Sequence, residues 1–458
     1  MKNIICTLFS LICINSFSFS QNIPVLKVSE NHRFIGSTEG SPFFWLGDTG
    51  WLLFSKLNRE EAILYLDDRQ KKGFNIIQVM GLHKLKLANA YGDSALINGD
   101  ITRPNIIDGN DFKDANAYDF WDHVDFIIEE AARRSIFIGF VPVWGSNIKE
   151  GKITPEQAKL YTEFLVNRYA SKPNIIWLNG GDLRGSEGLD VWQTIGETLR
   201  QNDKNHLITF HPRGRTISSD WFHNQNWLDF NMTQSGHKSY KQDTLKAENR
   251  HFGEDNWRFI NEAYALKPTK PIIDGEPSYE NIPHGLHDTT QARWTDADLR
   301  RYAYWSVFAG AFGFTYGHNS VMQMFKNEPN EEASYGPLMT WKEGLNASGA
   351  SQMQILKQLM ENDPAYFDRK PAQNLVLNQG DKYDYIAVCQ SPKIIYAYTY
   401  TGRKMTLRLD AFKGKILRGY WFNPRNGEKT FFKKIPTSFN PPNKPKNGND
   451  WVLVLELK

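Results

Sequence analysis

Between residues 43 and 316 short apolar runs alternate with helix-patterned stretches or long loops, and that alternation constrains the fold more than any other feature. Phe43-Phe44-Trp45-Leu46-Gly47 reads as a first strand. Asn58 then caps a helical pattern through Lys72, with Ile63, Leu64 and Leu66 apolar, and Gly73 stops it. Phe74 to Met80 is a second strand, and an amphipathic helix over Phe120 to Arg134 leads to a third, Ile136 to Val143. Thr154-Pro155-Glu156-Gln157 is a capping box with proline at the first helical position, opening a helix to Tyr169. Asn174 to Asn179 is the fourth strand. A helix over Asp190 to Gln201, with Asp190 as its cap, precedes the fifth, His206 to His211. Trp227 to Thr233, Pro271 to Gly275 and Phe312 to Tyr316 complete the set, with helices over Asn256 to Ala265 and Thr295 to Ala309 between them. Eight such strands predict a (β/α)8 TIM barrel, which a helix over Ser351 to Glu361 closes. The long segment Lys84 to Ala117 follows the second strand, at the end where it would overhang the catalytic face.

The pattern changes after Asn362-Asp363-Pro364. Asp384 to Gln390, Lys393 to Tyr400, Met405 to Leu409, Ile416 to Phe422 and Trp451 to Leu457 follow one another without helices. Asn423-Pro424-Arg425-Asn426-Gly427 is a turn joining two of them. A small C-terminal antiparallel β-sandwich is expected. The division is a leader over 1–20, a barrel over 21–363 and the β-domain over 364–458.

Two strands run into carboxylates. Asn174-Ile-Ile-Trp-Leu-Asn-Gly-Gly-Asp ends at Asp182, and Pro271-Ile-Ile-Asp-Gly-Glu-Pro carries Glu276. In a parallel barrel the C-terminal strand tips meet in one pocket, where enzymes of this architecture hold their chemistry. A carboxylate pair there suits acid/base or nucleophilic cleavage of a glycosidic bond, with Asp182 as acid/base and Glu276 as nucleophile. Asp274 shares a strand face with Glu276 and reads as a hydrogen-bonded structural acid. Glu187 is a weaker rival to Asp182. Retention is expected, the use many barrel glycosidases make of acids at the fourth and seventh strands. Other polar or aromatic groups near strand ends are candidates for binding substrate: Asp48, Gln78, His83, Trp144, Asn179, His211, Gln234, His237, Tyr316 and His318. Trp305 reads as core.

The charges nearly cancel, with 54 Lys and Arg against 51 Asp and Glu, so the total gives no electrostatic argument for nucleic acid or an anionic membrane. No zinc, calcium, phosphate-loop or serine-elbow pattern occurs, so neither metal nor cofactor is expected. Lys2 and the apolar Ile4 to Ser20 read as a cleaved export signal, which predicts a periplasmic or secreted protein with no membrane insertion after cleavage. Cys6 and Cys13 would leave with it, and Cys389 would remain as a buried small hydrophobe. The expected partner is an oligosaccharide or polysaccharide, and the expected state is a monomer.

With these residues in view, the chain resembles the apiosidase-like glycoside hydrolases, family 140. The resemblance rests on Phe-Phe-Trp-Leu-Gly-Asp-Thr-Gly-Trp, Gly-Phe-Asn-Ile-Ile-Gln, Asn-Gly-Gly-Asp and Asp-Gly-Glu-Pro, and on a following β-domain that carries a collagen-binding label. It implies release of apiose from pectic side chains of rhamnogalacturonan II, with Asp182 as acid/base and Glu276 as nucleophile. Alternatives are another exo- or endo-glycosidase of the same barrel type, or a non-catalytic glycan- or matrix-binding protein.

Overall fold

The computed structural model describes residues 23–151, 153–245 and 250–458. The segment expected to be a leader, with Cys6 and Cys13, lies outside the described residues.

Three short antiparallel strands that the sequence pattern missed come first: β1 (Leu26–Val28), β2 (Ile35–Ser37) and β3 (Pro42–Phe43). The alternating region follows, with β4 (Trp45–Thr49), β5 (Ile76–Leu82), β6 (Phe137–Val143), β7 (Ile175–Leu183) and β8 (Ile208–Pro212). Next are β9 (Thr216–Ile217), β10 (Asn231–Gln234), β11 (Ile272–Asp274) and β12 (Gly313–Tyr316). A six-stranded parallel sheet has the order β12-β4-β5-β6-β7-β8, and a second sheet has the order β11-β10-β9. Strands β10 and β11 pair in parallel. Single backbone bonds join the two sheets: Asp229 N–H donates to Ile208 O at 2.9 Å, and Phe312 N–H to Ile272 O at 3.1 Å. Parallel strands covered on both faces read as near-continuous apolar runs, and β6 is buried at every residue.

The caps expected at Asn58 and Thr154 form, and the structure adds a third at Thr295. Asn58, Thr154 and Thr295 each close a reciprocal capping box on their helices, Arg59–Lys71, Pro155–Tyr169 and Asp296–Phe308. Asp190 is a correction. Gly188, with φ +85°, caps helix Leu189–Asn202, and Asp190 lies in its first turn, where its charge suits the helix N-terminus.

The C-terminal region is one six-stranded antiparallel sheet of order β13-β14-β15-β18-β16-β17. Its strands are β13 (Lys370–Pro371), β14 (Ile386–Gln390), β15 (Ile394–Thr399), β16 (Ile416–Phe422), β17 (Lys429–Phe431) and β18 (Trp451–Leu457). The expected two-sheet sandwich is therefore corrected. Met405 to Leu409 makes only isolated bridges, Met405 to Phe439 and Leu407 to Val376, so that layer is loop rather than sheet. Strand parity explains the packing. Tyr396, Tyr398, Val452 and Val454 join the large core, while Ile395, Ala397, Leu453 and Leu455 pack under Met405, Leu407 and Phe439.

Helix Asp296–Phe308 carries the contact between the two regions. Tyr304 stacks on Tyr398 at 4.7 Å, and Arg300 pairs with buried Asp450 at 2.8 Å. Arg301 is fully buried 2.7 Å from Glu254, an ion pair by distance rather than an aligned hydrogen bond. The rings of Tyr383 and Tyr400 lie 5.1 and 5.3 Å from its guanidinium. Breaking such a pair leaves one buried charge uncompensated. Arg301→Met is therefore expected to cost about 3–5 kcal/mol. Urea unfolding monitored by tryptophan fluorescence checks this, and an unchanged midpoint would remove the contact from the account of stability.

Candidate active site

Glu276 and Asp182 share one cavity of about 1070 Å³. The cavity opens at the C-terminal ends of the parallel strands, and its lining includes Trp51, His83, Trp144, Arg213, Gln234, His237, Tyr279 and Tyr335.

Backbone conformation sets Asp182. Gly180, Gly181 and Asp182 all have positive φ, at +97°, +132° and +53°. The β7–β8 register slips between Gly180 and Leu183, a bulge that re-aims a side chain. A Cβ on Gly180 would sit 2.5 Å from His211 O, and one on Gly181 would sit 2.7 Å from the Trp144 ring. At positions 180 and 181 only glycine permits this turn. We expect Gly181→Ala to strain the backbone by about 1–3 kcal/mol and to displace Asp182. A fall in kcat with little change in KM would show it, and wild-type kcat would contradict it.

Glu276 follows the tip of β11 and is only 6% exposed. His237 Nε2 lies 3.2 Å from its Oε1. His211 Nε2 lies 3.0 Å from its Oε2, within ion-pair distance but off the line of a good hydrogen bond. Burial pushes Glu276 up, but the imidazoles of His211 and His237 beside its two oxygens outweigh it and hold the carboxyl down at about 2. Gln78 Nε2 donates to Gly275 O at 2.7 Å and so fixes the backbone just before Glu276.

Asp182 is displaced the other way. Its side chain is exposed to the cavity, yet the surrounding walls replace most of its water. That desolvation and the charge of Glu276 raise it to about 6, against opposing pulls from His211, Arg213 and His237. One carboxyl therefore stays ionised while its neighbour keeps a proton in mildly acidic solution, the division of labour that acid-assisted displacement requires.

The expected binding residues divide. His83, Trp144, Gln234 and His237 line the cavity, and His211 lies buried beneath Glu276. Trp51, Trp144 and His211 form a cluster with ring centroids 5.4–5.7 Å apart. The other five are corrected, because internal bonds hold them out of the cavity lining. Asp48 accepts from Tyr65 at 2.7 Å and from Arg69 at 2.5 Å. Gln78 bonds Gly275 as described above. Asn179 donates to Trp192 O at 2.8 Å and accepts from Gly180 N–H at 3.0 Å. The Tyr316 hydroxyl donates to Glu280 at 2.5 Å. His318 caps helix Asn319–Met322, accepting from Ser320 N–H at 3.2 Å. Asp274 is the structural acid expected, accepting from Ser235 Oγ at 2.8 Å and Asn256 Nδ2 at 3.0 Å.

Sequence reasoning missed Tyr279, Tyr335 and Arg213. Trp51 Nε1 donates to the Tyr279 hydroxyl at 3.0 Å, and the Tyr279 ring lies 4.7 Å from His237. Tyr335 sits on the loop after β12; burial and the charges of Glu276 and Asp182 raise its phenol. That loop is pinned at both ends. Gln323 exchanges two bonds with Ser334, at 2.9 and 2.8 Å, and Glu331 accepts from Lys326 and Asn327 N–H at 2.9 and 2.8 Å. From the Lys84 to Ala117 insertion only Lys84 and Ala90 reach the cavity. Among the described residues no group of three or more His, Cys, Asp or Glu is arranged to hold a metal ion.

Residues 29–366 match the family described as "Apiosidase-like, catalytic domain". The chain belongs to the apiosidase-like glycoside hydrolases. Residues 370–456 match the family described as "Putative collagen-binding domain of a collagenase". A solved glycoside hydrolase is 42% identical, over 95% of this chain and 97% of its own, with a TM-score of 0.87. A second, described as a glycoside hydrolase family 5 protein from Bacteroides vulgatus ATCC 8482, is 41% identical over 94% and 92%, also with a TM-score of 0.87. Among curated proteins none matches. The chain is thus a glycosidase, and the cavity with its carboxylate pair is its candidate active site.

Proposed function

We propose that the enzyme releases apiose from pectic side chains of rhamnogalacturonan II by a retaining mechanism, with Glu276 as nucleophile and Asp182 as acid/base. The observation that carries the catalytic assignment is that the two carboxyls face one cavity, Glu276 between two imidazoles that favour its ionised form and Asp182 against walls that favour its protonated form. Glu276 attacks the anomeric carbon as a carboxylate while Asp182 gives its proton to the departing oxygen. Asp182, now ionised, takes a proton from the water that releases the sugar from Glu276. The eight parallel-region strands form a closed (β/α)8 barrel in this reading, with the bonds from Asp229 and Phe312 as its two seams. Export to the periplasm or beyond belongs to the same reading and rests on the Lys2 to Ser20 pattern. The sugar identity rests on family membership. Incubation with rhamnogalacturonan II oligosaccharides and chromatography of the released monosaccharide tests it. Free apiose is expected; release of a different sugar, or of none, would overturn the substrate.

A further inference from the structure

The near-neutral total charge conceals a division. Residues 370–458 hold 16 Lys and Arg against 6 Asp and Glu, whereas residues 1–369 hold 38 against 45. A sheet region carrying a formal charge of +10 is thus joined to a catalytic region carrying −7. An imbalance of that size creates a directed field, which the chain's total of +3 hides.

The positive charge gathers at one edge of the C-terminal sheet. Strand β17 is outermost, paired only with β16. Lys413 and Lys415 precede β16, Lys429 lies on β17, and Lys433 and Lys434 follow it. Lys458, which directly follows the neighbouring strand β18, donates its N–H to Lys415 O at 2.9 Å and so lies beside the start of β16. All six lysines are exposed. Among the described residues, none of the six has a carboxylate within ion-pair distance; Arg418, on β16, pairs with Glu456 at 2.5 Å. Two large apolar side chains stand among these cations, Leu417 at 60% and Phe431 at 53% exposure. The Arg418 guanidinium lies 5.6 Å from the Phe431 ring centre.

Lysines do guard sheet edges against pairing with other chains. That accounts for Lys429. It does not account for the other five, which lie outside the paired residues of β17. Nor does it account for a half-exposed phenylalanine on the strand being guarded, whose ring meets that of Tyr420 at 5.0 Å on one side only.

We propose that this edge docks an acidic polysaccharide whose sugars carry carboxylates. Six cations without carboxylate partners supply the attraction, and an exposed ring beside them offers a flat apolar face to a pyranose. The choice of a polysaccharide over another polyanion rests on the glycosidase cavity in the same chain. Docking would raise the local concentration of polymer around that cavity, a gain from tethering that needs no new contact at the active site.

The test uses the full-length protein and immobilised polygalacturonate, neutral galactan and duplex DNA, read by biolayer interferometry. Polygalacturonate should bind and galactan should not. Binding should weaken at least about tenfold as salt rises from about 50 to about 300 mM. The variant Lys429→Glu/Lys433→Glu/Lys434→Glu should lose at least about tenfold in affinity, with Lys429→Gln/Lys433→Gln/Lys434→Gln as the milder version should charge reversal impair folding. Absence of binding, equal affinity in a folded variant, or DNA bound as tightly as polygalacturonate would each overturn the proposal. Both variants should hydrolyse a small soluble glycoside at the wild-type rate. An inactive wild-type enzyme that still binds polygalacturonate would refute the catalytic assignment and leave the docking edge standing.

Discussion

Glu276→Gln is expected to lower kcat by about 10⁴-fold or more on any substrate, because an amide cannot form the covalent bond to the anomeric carbon that the proposed mechanism requires. The amide has nearly the shape of the carboxylate, so the cavity keeps its form. It cannot carry the negative charge that His211 and His237 approach, at 3.0 and 3.2 Å. The loss should be the same for good and poor leaving groups, since bond formation at the anomeric carbon is what fails. Circular dichroism would establish that the variant is folded. Activity within tenfold of wild type in a folded Glu276→Gln protein would remove the residue from the mechanism.

Asp182→Ala should behave differently, and the difference identifies its role. A proton donor matters in proportion to how much the leaving oxygen needs the proton. On a natural sugar-to-sugar linkage kcat/KM should fall about 10²–10⁴-fold. On a nitrophenyl glycoside, whose leaving group departs without help, kcat/KM should stay within about tenfold of wild type. Parallel losses on both substrates would show that Asp182 does something other than deliver a proton.

Much of the architecture is legible in the sequence because parallel strands and amphipathic helices leave long, repeated signals. The runs around β5, β6 and β7, the cap at Asn58 and the box at Thr154 are of that kind. Strands β1 to β3 are two or three residues each, too short for a period of two to show. The carboxylate pair is legible because acids rarely end apolar strands without a task. The polar neighbours are harder to place. Both faces of a parallel strand are buried, so parity does not say which side chain reaches the cavity. Asn179 illustrates this: the bulge beyond it sends Asp182 forward and leaves Asn179 bonded to Trp192. Tyr335 was invisible because its loop is held by Gln323 and Glu331 rather than by periodic apolar contacts. The basic edge was hidden by summing the charge over the whole chain.

The opposed ionisation of Asp182 and Glu276 is the center of the account, and a pH profile of kcat/KM on a poor-leaving-group substrate tests it most directly. Asp182 is raised, so its proton is present in acid and is lost as pH climbs through about 6. Glu276 is lowered to about 2, so it remains ionised throughout the accessible range. Activity should therefore hold from about pH 4 to 5 and fall about tenfold per unit above about pH 6. The alkaline limb should be absent from the residual activity of Asp182→Ala on the same poor-leaving-group substrate. An alkaline limb that persists in that variant would mean another group holds the proton, and the assignment of the pair would be wrong.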